Sequence, residues 1–238
     1  METVYIIIPV YNEADNLRPL VDALTPHLVG REKILLVDDA SQDASPRIIQ
    51  ELSNAVPVIT PILNEQHQGY ASMLRQTFAR VPAGQWIITV MADGCDDLTA
   101  LRDLFRAAAS GVDMVCASRY MRGGMRVGGS RLKAAGSRAV NLCLRNMLRL
   151  PCHDSTNSYK LFRRDMLDDI TLESRGFDIF MELTLRASAR GYRIIEIPTR
   201  WRERCQGQSH FGVWRDGMPY LRNAARWAFA PQRSSGRP

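Results

Sequence analysis

From Val4 to Ala117 the chain alternates short apolar runs with stretches of helical period, an order that few folds accommodate. Val4 to Val10, Lys33 to Val37, Trp86 to Met91 and Met114 to Ala117 are dominated by β-branched and other apolar residues, as expected of strands covered on both faces. Val58 to Ile62 is a weaker run, and its Pro61 assigns it to an edge, where a missing donor is tolerated. Leu17, Leu20, Val21 and Leu24 fall at i, i+3, i+4 and i+7, the stripe of an amphipathic helix. Ile48, Ile49 and Leu52, the stretch Ala71 to Phe78, and Leu101, Leu104 and Phe105 supply further helices. Such alternation implies an α/β domain with a mostly parallel sheet flanked by helices. Ligands of such sheets bind beyond the carboxyl ends of the strands. Tyr11-Asn12-Glu13, Asp38-Asp39 and Asp93 to Asp97 each follow a strand and are expected on one rim.

Carboxylates gathered at a strand end repel one another unless a cation sits between them. The loop Met91-Ala92-Asp93-Gly94-Cys95-Asp96-Asp97 therefore suggests Mg²⁺ or Mn²⁺, which prefer oxygen ligands and bridge a few carboxylates to a diphosphate. Asp93, directly after the strand, is the main candidate, whereas Asp96 and Asp97 could instead cap the next helix. Asp38 and Asp39 could accept hydrogen bonds from a nucleobase or ribose, or could simply build a turn with Ser41 and Asp43.

Arg119, Arg122, Arg126, Arg131, Lys133, Arg200, Arg202 and Arg204 lie in or beside expected loops, and arginine suits phosphate through its planar fork of donors. Arg119, after a strand, and Arg131, opening a helix after a glycine-rich loop, are favoured; His210 can join them. The net charge of +6 does not choose between phosphate, membrane and nucleic acid. No nucleic-acid motif is present, and aromatic residues do not interleave with the basic run.

Beyond Ser118 the alternation stops. A helix from about Arg131 to Leu150, a strand near Tyr159 to Phe162, a helix through Phe180 to Ala189 and a strand from Tyr192 to Pro198 are expected. In the first of these helices Arg138, Arg145 and Arg149 accompany Val140, Leu144, Met147 and Leu148. Trp214, Met218, Leu221 and Ala225 alternate similarly with Arg215, Arg222 and Arg226. Both stretches suggest a membrane surface, with packing on the domain or a homo-oligomer contact as the alternative. The expected organisation is one domain over residues 1–212, a basic amphipathic helix over 213–230 and a disordered tail over 231–238. No apolar run approaches the about 20 residues that span a bilayer, and no secretory pattern opens the chain. Five scattered cysteines without a C-x-x-C pair fit a reducing compartment. A cytoplasmic protein, at most peripheral to the inner face of the membrane, is expected.

Ile8-Pro9-Val10-Tyr11-Asn12-Glu13 followed by Val37-Asp38-Asp39-Ala40-Ser41 resembles the opening of inverting family-two glycosyltransferases of Rossmann-like GT-A fold. Ala117-Ser118-Arg119-Tyr120, Asp154 to Phe162 and Gly191 to Pro198 resemble the dolichyl-phosphate mannosyltransferase branch. The resemblance implies transfer of a sugar from a GDP- or UDP-sugar to a polyprenyl phosphate, with inversion. It assigns Pro9, Tyr11, Glu13, Asp38 and Asp39 to the nucleotide, and Asp93 with Cys95 or Asp96 to the metal. Arg119, Arg131, Arg202 and His210 then meet phosphates, and Asp93, Arg119 and Arg131 carry catalysis. The usual Asp-x-Asp is here Ala92-Asp93-Gly94-Cys95-Asp96, Asn157 stands where the family often has Ser before Gly, and His210 replaces a common Lys. A saccharide acceptor would instead require a carboxylate base, for which Glu182 and Asp154 are candidates; a degenerate nucleotide-binding module is the third reading.

Overall fold

The computed structural model describes residues 2–204 and residue 220. Inside its main sheet lies β1 (Val4–Val10), in which every residue but Tyr5 is buried. β2 (Glu32–Asp38) and β4 (Trp86–Thr89) pair with β1 in parallel, and β3 (Ile59–Leu63) adds in parallel to β2. The full order is β3-β2-β1-β4-β7-β5-β8, with β5 at Met114–Ser118, β7 at Lys160–Arg163 and β8 at Ile194–Pro198. β3 thus takes an edge, as Pro61 requires. The single antiparallel member is β7, inserted between β4 and β5.

Alternating side chains of the strands feed two cores. Ile6, Ile8, Ile34 and Leu36 pack against α1 (Ala14–Leu24), α2 (Ser45–Ala55) and α4 (Leu101–Ala108). Ile7, Leu35, Val37 and Ile87 face α3 (Tyr70–Arg80), α6 (Met166–Asp169) and α7 (Ile179–Ala189) on the other side. α5 (Arg131–Leu148) packs through Leu144 on Met181 and Leu185 of α7. Its Val140 and Leu148 join this contact, so part of the apolar mass that suggested a membrane face belongs to the domain's own packing.

The stretch expected to be a glycine- and arginine-rich loop contains a strand, β6 (Met125–Val127), which pairs in parallel with β9 (Arg200–Arg202). Arg200-Trp201-Arg202 therefore does not end β8 but turns away to form a second, two-stranded sheet. Gly129 makes this possible. Its φ is +79°, and a Cβ there would lie 2.7 Å from Arg126 Nη2 and 3.2 Å from the Trp201 ring. The amphipathic helix expected over 213–230 (Tyr220 apart), the 231–238 tail and His210 lie outside the described residues.

Candidate active site

Because β1, β2 and β4 run parallel, the loops after them share one rim, around a cleft of about 870 Å³. The first two loops are stitched together. Asn12 accepts from the Gln42 N–H at 2.7 Å and donates its own N–H to Ser41 Oγ at 2.9 Å. The Glu13 N–H donates to Ser45 Oγ at 3.0 Å and the Ala14 N–H to Asp43 Oδ2 at 3.0 Å. Asn12 sits at φ 54°, a left-handed conformation that asparagine tolerates. Burial raises the Asp43 carboxyl, yet the Ser45 hydroxyl and the Ser45 and Ala14 N–H groups hold it below its ordinary value.

Pro9, Tyr11, Glu13 and Asp39 line one end of the cleft. Asp38 does not. It is buried, and its Oδ2 accepts from the Ser41 N–H at 3.0 Å, so it builds the turn. Asp39 accepts from the N–H groups of Gln68 and Gly69, each at 2.9 Å, and lies 3.0 Å from His67 Nδ1. The Tyr11 and His67 rings stand 4.5 Å apart. Sequence reasoning missed His67 and Gly69, although the signal was present: they follow β3, whose carboxyl end lies on the same rim.

The acidic loop forms the middle of the cleft. Asp93 Oδ1 accepts from the Cys95 N–H at 3.1 Å, and Oδ2 lies 2.9 Å from Arg204 Nη2. Asp96 accepts from the Met91 N–H at 2.9 Å, while Asp97 caps the following turn through Thr99. Burial pushes the Asp96 carboxyl up to about 7, with Asp93 and Asp97 adding to the rise. Burial, then the neighbouring Asp93 and Asp96 carboxylates, push the Cys95 thiol well above its ordinary value. Cys95 is thus a protonated thiol, poorly suited to a hard cation. Two carboxylates, Asp93 and Asp96, suit Mg²⁺ or Mn²⁺ when phosphate oxygens complete the shell. Among the described residues no group of three or more His, Cys, Asp or Glu side chains could hold a metal by itself.

The basic residues sort differently from expectation. Arg119 lines the cleft, but its guanidinium is gripped by Asp154, with Nε 2.7 Å from Oδ2 and Nη2 2.9 Å from Oδ1. Burial opposes charge on both groups, yet Asp154 holds Arg119 above its ordinary range, and Arg119 and Lys160 hold Asp154 below its own. Arg131 lies outside the cleft, in a separate depression with Tyr120 and Arg138, and Arg202 is exposed beyond its rim. The neighbours of both face inward instead. Lys133 lines the cleft, and Arg204 spans it from Asp93 to Glu13, with Nη1 3.3 Å from Glu13 Oε1. A helical offset of two residues separates Arg131 from Lys133 by more than half a turn, which the glycine-rich loop concealed. Neither carboxylate considered as a base is available. Glu182 is buried, accepts from the Glu173 and Ser174 N–H groups and pairs with Arg186 at 2.7 Å, while Asp154 is bound to Arg119.

Residues 5–171 match Glycosyl transferase family 2. The chain is 30% identical over 210 residues to the polyprenol monophosphomannose synthase of Mycolicibacterium smegmatis, covering 86% of this chain and 79% of that one. It is 30% identical over 229 residues to the undecaprenyl-phosphate mannosyltransferase of Micrococcus luteus, covering 94% and 93%. Its fold is similar to glucosyl-3-phosphoglycerate synthase from Mycobacterium tuberculosis in complex with Mn²⁺, UDP and phosphoglyceric acid (TM-score 0.70, 15% identity, 97% and 80% covered). It is also similar to a Pyrobaculum calidifontis mannosyltransferase in complex with GDP-Man and Mn²⁺ (TM-score 0.65, 19% identity, 96% and 65% covered). With GT-A architecture, a strand-end cleft and a match over most of its length, the chain belongs to glycosyl transferase family 2.

Proposed function

We propose that the chain transfers a sugar from a GDP- or UDP-sugar to a polyprenyl phosphate, with inversion at the anomeric carbon. The names of the Mycolicibacterium and Micrococcus relatives support the acceptor class. The observation that carries the reading is the state of the carboxylates. Glu182 and Asp154 are committed to structural pairs, so neither is free to deprotonate a saccharide hydroxyl. A phosphate acceptor is already ionised at neutral pH and needs no strong base.

Pro9, Tyr11, Glu13, Asp39 and His67 would hold the nucleoside, with Asp38 shaping their loop. Asp93 and Asp96 would hold Mg²⁺ or Mn²⁺, which supplies charge neutralisation at the departing diphosphate. Lys133 and Arg204 would meet phosphate oxygens in the roles first given to Arg131 and Arg202; the role expected for His210 falls outside the described residues. Arg119, locked by Asp154, would present a preorganised positive charge at the cleft wall, stabilising the phosphate oxygens of the departing diphosphate or of the acceptor without reorganisation. A lipid acceptor places the work at a membrane surface, and no helix of the described residues is long and apolar enough to cross a membrane.

A thermal-shift panel of GDP- and UDP-sugars with and without Mn²⁺ tests the donor half. A ligand at a hundred times its dissociation constant adds about 2.7 kcal/mol of stability. The expected result is a metal-dependent shift with one nucleotide class, lost in Asp93→Ala. No shift with any donor would contradict the assignment.

A further inference from the structure

We infer that Glu196 is a positioning residue for the transfer. From the edge strand β8 it fixes the backbone that aims Asp154, and through Asp154 it holds the Arg119 guanidinium at the cleft wall. This rests on the phosphate-facing role proposed above for Arg119, and it names the group that keeps that charge in place.

Arg119 and Asp154 come from distant parts of the chain. Arg119 follows β5, whereas Asp154 stands in the segment between α5 and β7. Helix α5 ends at Arg149 in the left-handed conformation, φ 51°, and no further helix or strand begins before Lys160. A connection without a ladder of its own keeps one geometry only where its polar groups are bound.

The backbone of Asp154 is bound on both sides. Glu196 Oε1 accepts from the His153 N–H at 2.7 Å and from the Asp154 N–H at 3.0 Å. Glu196 Oε2 lies 2.7 Å from His153 Nδ1. The Asp154 carbonyl accepts from Lys160 Nζ at 3.4 Å, and Lys160 also donates to the Asn157 carbonyl. With the main chain pinned, Asp154 Oδ2 accepts from Arg119 Nε at 2.7 Å and from the Arg119 N–H at 3.0 Å. Asn141 of α5 braces the far side. Its Nδ2 donates to Thr156 Oγ1 at 2.9 Å, and the same oxygen accepts from Arg119 Nη2 at 3.1 Å.

Burying a carboxylate is costly unless hydrogen bonds compensate it. The Glu196 side chain is only 5% exposed, and among the described residues all its side-chain hydrogen bonds go to His153 and Asp154. Lys160 and Glu196 flank Cys116 from β7 and β8. Lys160 nonetheless donates to loop carbonyls, so Glu196 serves the loop and not an ion pair between strands. Displacing a positioning group by about 1 Å can cost about a hundredfold in rate.

Length and charge at position 196 separate this role from a merely electrostatic one. Glu196→Gln keeps an oxygen for both N–H groups and offers an amide N–H to the neutral His153 ring. Glu196→Asp keeps the charge but falls a methylene short of the loop. In transfer to a detergent-dispersed polyprenyl phosphate, Glu196→Gln should retain most of the wild-type kcat. Glu196→Asp and Glu196→Ala should each lose at least about tenfold, with donor KM within about threefold of wild type. The Arg119 Nε–H resonance of the ligand-free protein, identified by its absence in Arg119→Lys, supplies a readout apart from activity. It should persist in Glu196→Gln and broaden or vanish in Glu196→Asp and Glu196→Ala, while the β1 amides stay in place. Glu196→Asp outperforming Glu196→Gln, a loss confined to donor KM, or an unchanged Arg119 resonance in every variant would overturn the assignment. Absence of transfer by the wild type would contradict the proposed function and leave the resonance to decide the role of Glu196.

Discussion

Arg204 lies across the cleft with one nitrogen 2.9 Å from Asp93 and the other 3.3 Å from Glu13, tying the strand that follows β8 to the loops after β1 and β4. The guanidinium neutralises two carboxylates that sit largely buried on one rim. Metal and diphosphate brought to Asp93 would supply positive and negative charge together, letting Arg204 turn from carboxylate to phosphate.

Arg204→Gln should therefore destabilise the ligand-free protein by about 1–3 kcal/mol, the range for a lost charge-assisted pair. Mn²⁺ should recover more stability in the variant than in the wild type. Chemical denaturation with and without the metal checks this, and equal recovery in both would contradict it.

The Arg119–Asp154 pair is buried and bidentate, so removing one partner strands a charge. Asp154→Ala should cost about 3–5 kcal/mol, seen as a fall of roughly 10 °C in Tm for a domain of this size. Asp154→Asn, which keeps one acceptor, should lose less. A small effect of Asp154→Ala would mean that the guanidinium finds water.

Asp96 links the site to pH. Its carboxyl is raised from 3.8 to about 7, chiefly by burial, so the folded state binds the proton more tightly than the unfolded state. Stability should be greatest below the unfolded value, fall as pH rises through about 4 to 7, and level off above. Asp96→Asn should remove that slope. Mn²⁺ should oppose it, because the metal requires the ionised form, so its stabilising effect should grow towards pH 7. Denaturation series at several pH values, with and without Mn²⁺, decide the sign.

Gly124 is tightly enclosed. A Cβ there would lie 2.4 Å from the Ser118 carbonyl oxygen and 2.9 Å from the Arg119 carbonyl carbon. Both neighbours are backbone, so Gly124→Ala must displace the chain entering β6. We expect a loss of about 1–3 kcal/mol and weaker protection of the amides in the β6–β9 ladder by hydrogen exchange. Unchanged protection would contradict the close approach.

The parallel half of the fold was legible because its strands are long apolar runs and each helix between them shows its period. That legibility extended to the rim, where strand ends delivered Tyr11, Glu13, Asp39 and Asp93 to one cleft. It failed where placement depends on neighbours distant in sequence. Nothing in Lys160 to Arg163 announces an antiparallel strand between β4 and β5, and Met125 to Val127 is a strand only because β9 returns beside it. The arginines were the hardest to place. Arg119 lines the cleft, but its commitment to Asp154 was not visible; Arg131 is a two-residue helical offset from the inward Lys133, and Arg204 lies past the end of β9, where strand alternation no longer sets the side-chain direction. Cys95 fell within the acidic loop by spacing alone, and its burial leaves it a thiol.

The most direct test of the central claim is transfer itself. The full chain, supplied with a GDP- or UDP-sugar, Mn²⁺ and a detergent-dispersed polyprenyl phosphate, should yield a polyprenyl-phosphate sugar detectable by mass spectrometry. The product should have inverted anomeric configuration and should be lost in Asp93→Ala. Sugar transfer to a soluble saccharide but not to the lipid phosphate would contradict the account.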